Sequence, residues 1–297
     1  MKNSSYLFPS AVFRAALVSA GVLACLTRSE AVLVAYDGFD YTVGESIIGQ
    51  DGGTGWNPSS AWAGNNPGSG TVTRSISSTS ITYDLNGFTY GGGTSLEIGG
   101  ANLTRVADRT VNTASLTTGQ DIYFSYVVQA QGGAGDLSST AFSAWYTRDS
   151  GGISTTDDNA FITGNLGKVA ARANSATTTN GALTLQYNTT YLIVGRISGW
   201  DEGAQAYRTT SVWLNPDLDD FGTPSAVATG TTGGTGAFVG TVLRINGLES
   251  SGTTFLFDDM RIGTSWDAVV IPEPGTAGLL VMAATGLLLV RGRGRKD

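Results

Sequence analysis

The sequence predicts an all-β sandwich or jelly roll, on three observations. Apolar and β-branched segments recur at short intervals, with Gly, Asn, Ser and Thr between them. Glycine supplies 42 of 297 residues, about twice its usual share, while charged residues make up only 14%. No amphipathic helical period of useful length occurs away from the two ends. A hydrophobic content of 41% is enough for a real core. One domain with two targeting ends is the simplest parse of this length: residues 1–31, 32–270 and 271–297.

The first segment reads as a secretory signal peptide. Lys2 and Arg14 precede an apolar run over 15–26, and Ser29-Glu30-Ala31 gives a small-x-small step. The run is short for a bilayer span, so cleavage after Ala31 is expected, with Val32 as the mature start. Val22-Leu23-Ala24-Cys25 offers a competing lipidation reading, but Leu23 and Leu26 fit that pattern poorly.

Strands are then expected in order. The β-branched run 31–36 opens the domain, and 120–129 places Ile122, Phe124, Tyr126 and Val128 on one face. Segment 140–147 carries Phe142, Trp145 and Tyr146. Segments 159–163 and 169–173 flank a turn near Gly167, and 183–187 and 191–198 are spaced like a hairpin around Asn188-Thr189-Thr190. Segment 209–214 ends at the breaker pair Asn215-Pro216. Segments 238–245 and 253–262 close the domain. No repeat of fixed period is present, which disfavours propellers and β-helices.

The C-terminal segment is apolar from 274 to 290, 17 residues without charge, or roughly 25 Å as a helix. It ends in Arg291, Arg293, Arg295 and Lys296, which the positive-inside rule keeps cytoplasmic. Pro272-Glu273-Pro274 precedes it. The triplet, the apolar helix and the basic tail, in that order, resemble the PEP-CTERM sorting signal. The resemblance implies a Gram-negative host, Sec export, an exosortase-type processing enzyme as partner, and a first attachment to the inner-membrane bilayer. Release to the cell surface or extracellular matrix would follow.

Within the domain, three stretches resemble concanavalin A-like, laminin-G-like jelly-roll domains. They are Tyr36-Asp37-Gly38-Phe39-Asp40-Tyr41 with Gly52-Gly53-Thr54-Gly55-Trp56, residues 191–197 leading to 212–216, and residues 257–266. The resemblance implies one sandwich whose first and last strands lie close together. It does not select a function, because such folds carry lectins, glycanases and structural modules alike.

Composition excludes several chemistries. There is no histidine, so every Ser-His-Asp and Cys-His mechanism is absent. The single cysteine, Cys25, lies in the expected signal peptide. Residues 32–271 hold 10 basic and 21 acidic groups, a net charge of −11, which disfavours nucleic acid as partner.

A glycanase would need two carboxylates flanking one bond, and no Glu-x-Asp-x-x-Glu triplet occurs. Asp258 and Asp259 are adjacent, so a regular strand sends them to opposite faces. No enzyme activity is therefore expected. No cofactor is required, although Asp217, Asp219 and Asp220 form a candidate Ca²⁺ loop, with a solvated acidic turn as the plainer reading. Trp145 and Trp213 are expected in the core. Trp56 and Trp62, in a Gly/Asn/Pro-rich loop, are either core anchors or contacts for a polysaccharide ligand. The expected function is a non-enzymatic, surface-destined module for adhesion, matrix structure or glycan binding. The alternatives are a carbohydrate-active enzyme with an atypical site and a Ca²⁺-stabilised structural domain.

Overall fold

The computed structural model describes residues 31–64, 72–100, 104–137, 140–150, 159–174, 177–217 and 222–271. The chain divides into two units, Met1–Ala31 and Val32–Asp297. The apolar N-terminal run, the Pro-Glu-Pro triplet, the C-terminal helix and its basic tail all lie outside the described residues, as do Asp219 and Asp220. Among the described residues no helix is long and apolar enough to cross a membrane.

The strands are β1 (Leu33–Asp37), β2 (Thr73–Ser77), β3 (Thr82–Leu85), β4 (Phe88–Gly91), β5 (Ser95–Gly99), β6 (Thr104–Thr110), β7 (Ile122–Gln131) and β8 (Phe142–Asp149). They continue with β9 (Ala160–Asn165), β10 (Lys168–Asn174), β11 (Thr177–Thr184), β12 (Thr190–Asp201), β13 (Ala206–Leu214), β14 (Ala226–Thr229), β15 (Phe238–Asn246) and β16 (Thr254–Gly263). An eight-stranded sheet runs β14-β13-β12-β7-β16-β5-β2, with β1 also paired to β16. A six-stranded sheet runs β11-β10-β9-β8-β15-β6, and β3 with β4 forms a separate hairpin. Neighbours pair antiparallel. The protein is therefore all-β, a two-sheet sandwich consistent with a jelly roll. β1 lies on β16, so the first and last strands are neighbours.

The core forms where the two sheets face each other. Ile122, Phe124, Tyr126 and Val128 of β7 point into it, as their alternation predicts, and meet Trp145, Phe161, Leu243 and Ile245 from the other sheet. The Trp145 ring sits 5.7 Å from Phe257 and 6.2 Å from Tyr126, centre to centre. The Tyr126 hydroxyl is satisfied by Thr163 at 3.1 Å, a polar bond between the sheets. Such a buried hydroxyl needs a partner, since an unpaired one costs about 1–3 kcal/mol.

The other face of the eight-stranded sheet is also covered. Tyr123, Val127, Leu192, Val194, Trp213 and Leu256 pack against Ile81, Leu85 and Tyr90 of the hairpin region and against a short helix, α1 (Trp266–Val270). Ser265 caps α1 by accepting from the Ala268 N–H at 3.2 Å. β7 and β12 are thus buried on both faces, which is why their sequences read as nearly continuous apolar runs.

One sequence expectation needs correction. Segment 183–187 does not pair with 191–198: β11 ends at Thr184, and β12 pairs with β7 and β13 instead. The Asn188 turn, with φ of 60°, only joins the two sheets' segments. The sequence reading does not reach β2 to β6, β14 or most of β11. β2 to β5 and β14 are only four or five residues long, and β5 and β6 pair with the distant β16 and β15.

Candidate functional site

The site is built outward from one buried ion pair. Arg109 of β6 points into the sandwich and pairs with Asp37 of β1 at 2.9 Å, both side chains 1% exposed. Asp37 also accepts from the Trp62 indole N–H at 2.8 Å, the Tyr41 hydroxyl at 2.8 Å and the Phe39 backbone N–H at 2.9 Å. Arg109 donates further to the carbonyls of Ser60 and Gly52, at 2.9 and 2.8 Å. Burial pushes the Asp37 carboxyl above its ordinary value, and the donors from Trp62, Phe39, Tyr41 and Arg109 pull it back. This network explains the opening motif. Asp37, Phe39 and Tyr41 supply one half of the node, and the 52–62 loop supplies the other.

The loop can lie this close only because of glycine. At Gly55, φ is 76° and an added Cβ would sit 1.8 Å from the Val34 carbonyl oxygen of β1.

Trp56 and Trp62, expected as core anchors or ligand contacts, are both buried. They are 7% and 1% exposed. Their rings lie 5.5 Å apart, with the Arg109 guanidinium 4.6 Å from the centre of Trp56 and 5.7 Å from that of Trp62. The Trp56 indole donates to the Tyr36 carbonyl at 3.0 Å. The choice left open by the sequence is resolved toward the core, because the buried guanidinium needs both aromatic faces and an acceptor network around it.

The pinned loop adds an edge to the six-stranded sheet. Ala63 and Asp108 exchange backbone hydrogen bonds at 2.9 Å each, Asn57 donates to the Thr110 carbonyl at 3.0 Å, and the Ser60 hydroxyl accepts from the Thr110 N–H at 2.9 Å. A cleft of about 350 Å³ opens here. Asn57, Ser59, Ser60, Ala61 and Ala63 line it from the loop, and Asp108, Thr110 and Arg148 from the sheet. The Arg148 guanidinium donates to Asp108 at 2.9 Å, with the side chains 27% and 16% exposed. A second cavity, of about 150 Å³ near Leu116 and Tyr207, has no charged residue in its lining.

Beside Asp108 and Arg148 lies the outer face of the six-stranded sheet. Strand register places Asp108, Val242, Tyr146, Ala160 and Arg172 in one row across it. The Arg172 guanidinium donates to the Tyr146 hydroxyl at 2.8 Å, and that of Arg244 reaches the same oxygen at 3.5 Å. Both guanidinium carbons lie over the Tyr146 ring, 5.4 and 5.9 Å from its centre. Tyr146 is itself buried, in a small cluster with Ala144, Ala160, Ile162, Ala170 and Val242. Sequence reasoning missed this constellation. Tyr146, Arg148, Arg172 and Arg244 lie on three different strands, and only the period-2 alternation within 142–149 hinted that Tyr146 and Arg148 share a face.

The other acidic candidates behave differently. β16 pairs with β5 through Phe255–Phe257 and with β1 from Met260 onward, and it carries a bulge between the two halves. Asp259, at φ of 50°, sits in that bulge. The regular alternation expected for Asp258 and Asp259 is broken. Their carboxylates accept from consecutive backbone N–H groups, Gly92 at 2.8 Å and Gly91 at 3.1 Å. Arg261 clamps Asp259 with two donors at 2.8 and 3.1 Å. Burial pushes the Asp258 carboxyl up to about 8, against the pull of the Asp259 and Gly92 N–H donors. This pair joins strands and lies apart from the cleft lining. Asp217 is exposed, and the rest of its expected calcium loop lies outside the described residues. Among the described residues no group of three or more carboxylates, histidines or cysteines could hold a metal ion.

No protein-family model and no curated protein matches the sequence. Solved structures are similar at low identity. A cellulose-induced protein is 14% identical with a TM-score of 0.41, over 67% of this chain and 88% of that one. An endo-1,3-beta-glucanase from Streptomyces sioyaensis is 10% identical with a TM-score of 0.43, over 79% and 97%. An alginate lyase from Aplysia kurodai is 7% identical with a TM-score of 0.38, over 62% and 86%. Likenesses of this strength carry no functional argument, and the two-sheet arrangement rests on this chain's own strand order.

Proposed function

We propose that residues 32–270 form a concanavalin A-like, glycan-binding module without catalytic activity, carried by an exported protein. The observation that supports this best is the cleft beside β6. Its rim offers an amide, three hydroxyls and a charged pair held in place from beneath by the Trp56–Trp62 anchor. Neutral hydroxyl-bearing ligands are recognised by such mixed donors and acceptors. Among the described residues Asp108 is the only carboxylate in the lining, and it is engaged by Arg148. A glycosidase needs a second carboxylate about 5–9.5 Å away across the bond, and the described lining does not supply one.

The ends of the sequence support an address on the cell surface. Residues 1–31 read as a Sec signal cleaved after Ala31, and Pro272-Glu273-Pro274 with the helix and Arg291, Arg293, Arg295 and Lys296 reads as an exosortase-processed PEP-CTERM tail. The protein is first held at the inner membrane and then delivered to the surface or matrix. Replacing Pro272-Glu273-Pro274 with alanines should leave the full-length form in the membrane fraction. Unchanged processing and delivery would rule the sorting reading out.

The module is tested by exposing the full chain, in nonionic detergent, to a panel of immobilised neutral and acidic glycans. Binding to at least one class, lost in Ser60→Trp where the indole fills the cleft, is the expected result. Silence across the panel removes the glycan-binding reading.

A further inference from the structure

We infer that the side of the sandwich bounded by β11 and β14 is a self-association surface, where a second copy of this chain docks about a two-fold axis with β11 antiparallel to its own counterpart. The inference stands apart from the glycan-binding reading.

The sheet edges carry the argument. Of the four ends of the two strand orders, two are capped by the chain itself. At β2 the Gly44 N–H donates to the Ile76 carbonyl at 2.8 Å, that of Ile47 to Arg74 at 3.1 Å, and that of Ile76 to Glu45 at 2.9 Å. At β6 the loop through Asn57 and Ala63 does the same. β11 and β14 are the other two ends. They lie against each other, since a Cβ added at Gly181 would sit 3.1 Å from the Ser225 carbonyl oxygen. Among the described residues no backbone group pairs with the outer edge of either strand. Open edges of this kind are templates for another strand.

Proteins block such pairing with charges, prolines or bulges on the edge. β11 and β14 carry no charged residue and no proline. β11 bulges after Asn180, which leaves 177–180 as its regular stretch. Residues 173–195 and 221–243 are wholly uncharged, in a domain with 21 acidic and 10 basic groups. Apolar side chains gather here too. Of the five large ones exposed among the described residues, Leu183 is on β11 and Val227 on β14. A third, Leu166, is in the β9–β10 turn, next to where Lys168 pairs with Thr184 at the end of β11.

The partner is selected by what this side lacks. A foreign protein drawn to so acidic a domain would bring basic groups, and neither edge offers a carboxylate to meet them. A second copy is uncharged over the same stretch, so no like charges are opposed along the edges. An antiparallel edge is also self-complementary. A two-fold axis through β11 pairs its open N–H and C=O groups with the same groups of the copy, and threonines face threonines across the contact. Such an interface closes on itself, so association stops at a pair.

The test sizes the full chain in nonionic detergent by sedimentation equilibrium, at a solvent density that cancels the detergent. A dimer with a micromolar dissociation constant is expected. Thr179→Lys, and Leu183→Glu combined with Val227→Glu, should each raise that constant about tenfold or more, because each buries a charge at the contact. Val43→Glu and Phe88→Glu, at exposed apolar residues elsewhere, should leave it unchanged. Melting curves verify that each variant is folded. A monomer at every concentration up to about 100 µM overturns the proposal. A dimer that the β11 and β14 variants leave intact, or that Val43→Glu weakens equally, places the contact elsewhere and overturns it too. Assembly that grows without limit overturns the two-fold closure. No glycan is present in these measurements, so either result leaves the reading of the cleft as it stands.

Discussion

Asp108 and Arg109 are consecutive residues of β6, yet each makes an ion pair of a different kind. Arg109 faces the sandwich interior and meets Asp37 with both side chains 1% exposed, surrounded by Trp56, Trp62, Tyr41 and three carbonyl or carboxylate acceptors. Asp108 faces outward and holds Arg148 at the rim of an open cleft. The bond lengths are the same, 2.9 Å. What differs is the solvent. Inside, desolvation makes every missing partner costly, so the pair gathers partners from β1 and the loop and fixes where the 52–62 loop lies. Outside, water screens the pair, so it contributes little to stability. The interior pair serves architecture, and the exterior pair lines the cleft proposed as the glycan site.

Removing one partner of the interior pair is the strongest way to test that contrast. Arg109→Leu strands the Asp37 carboxylate among aromatic rings and should lower stability by about 3–5 kcal/mol, measured by denaturant melts. Loss of less than ~1 kcal/mol would mean that the node is not structural. Trp62→Phe keeps the ring but deletes the indole donor to Asp37. It should cost about 1–3 kcal/mol and, because the loop above is loosened, should also weaken ligand binding. Binding that survives unchanged would separate the loop from the cleft.

A third test concerns the bulge of β16. The folded protein binds the Asp258 proton with a pKa of about 8, against 3.8 ordinarily. The folded state thus holds the proton more tightly than the unfolded chain, so stability is fullest below the ordinary carboxylate range. It should fall as pH rises toward 8. Asp258→Asn, which stays neutral, should flatten that decline in thermal melts between pH 4 and 8. A profile identical to wild type would assign the decline to other groups. The smallest effect is expected at the exterior pair. Asp108→Asn and Arg148→Gln should each change stability by less than ~1 kcal/mol while Arg148→Gln weakens binding. A large loss of stability at either would erase the distinction drawn above.

Much of the architecture can be read from residues alone. The alternation of Ile122, Phe124, Tyr126 and Val128 marks a strand and its core face, and the Gly167 turn between β9 and β10 is visible in the chain. The cleft is not visible in this way. Its lining comes from a loop near residue 60, a strand near 109 and another near 148, and no local spacing announces that these meet.

The sequence by itself determined the class of the fold, the positions of most long strands, and the chemistry that histidine and cysteine cannot perform here. A two-residue period settles which side chains share a face without reference to anything distant. Only the tertiary structure decided which faces are covered. It placed Trp56 and Trp62 inside, because a buried guanidinium from β6 required them. It turned Asp258 and Asp259 toward adjacent backbone amides, because β16 changes partner between them. It also brought Arg244 and Arg172 onto one tyrosine, because strands far apart in the chain are neighbours in the sheet. Burial and charge pairing are properties of those long-range contacts, and the local pattern of residues does not contain them.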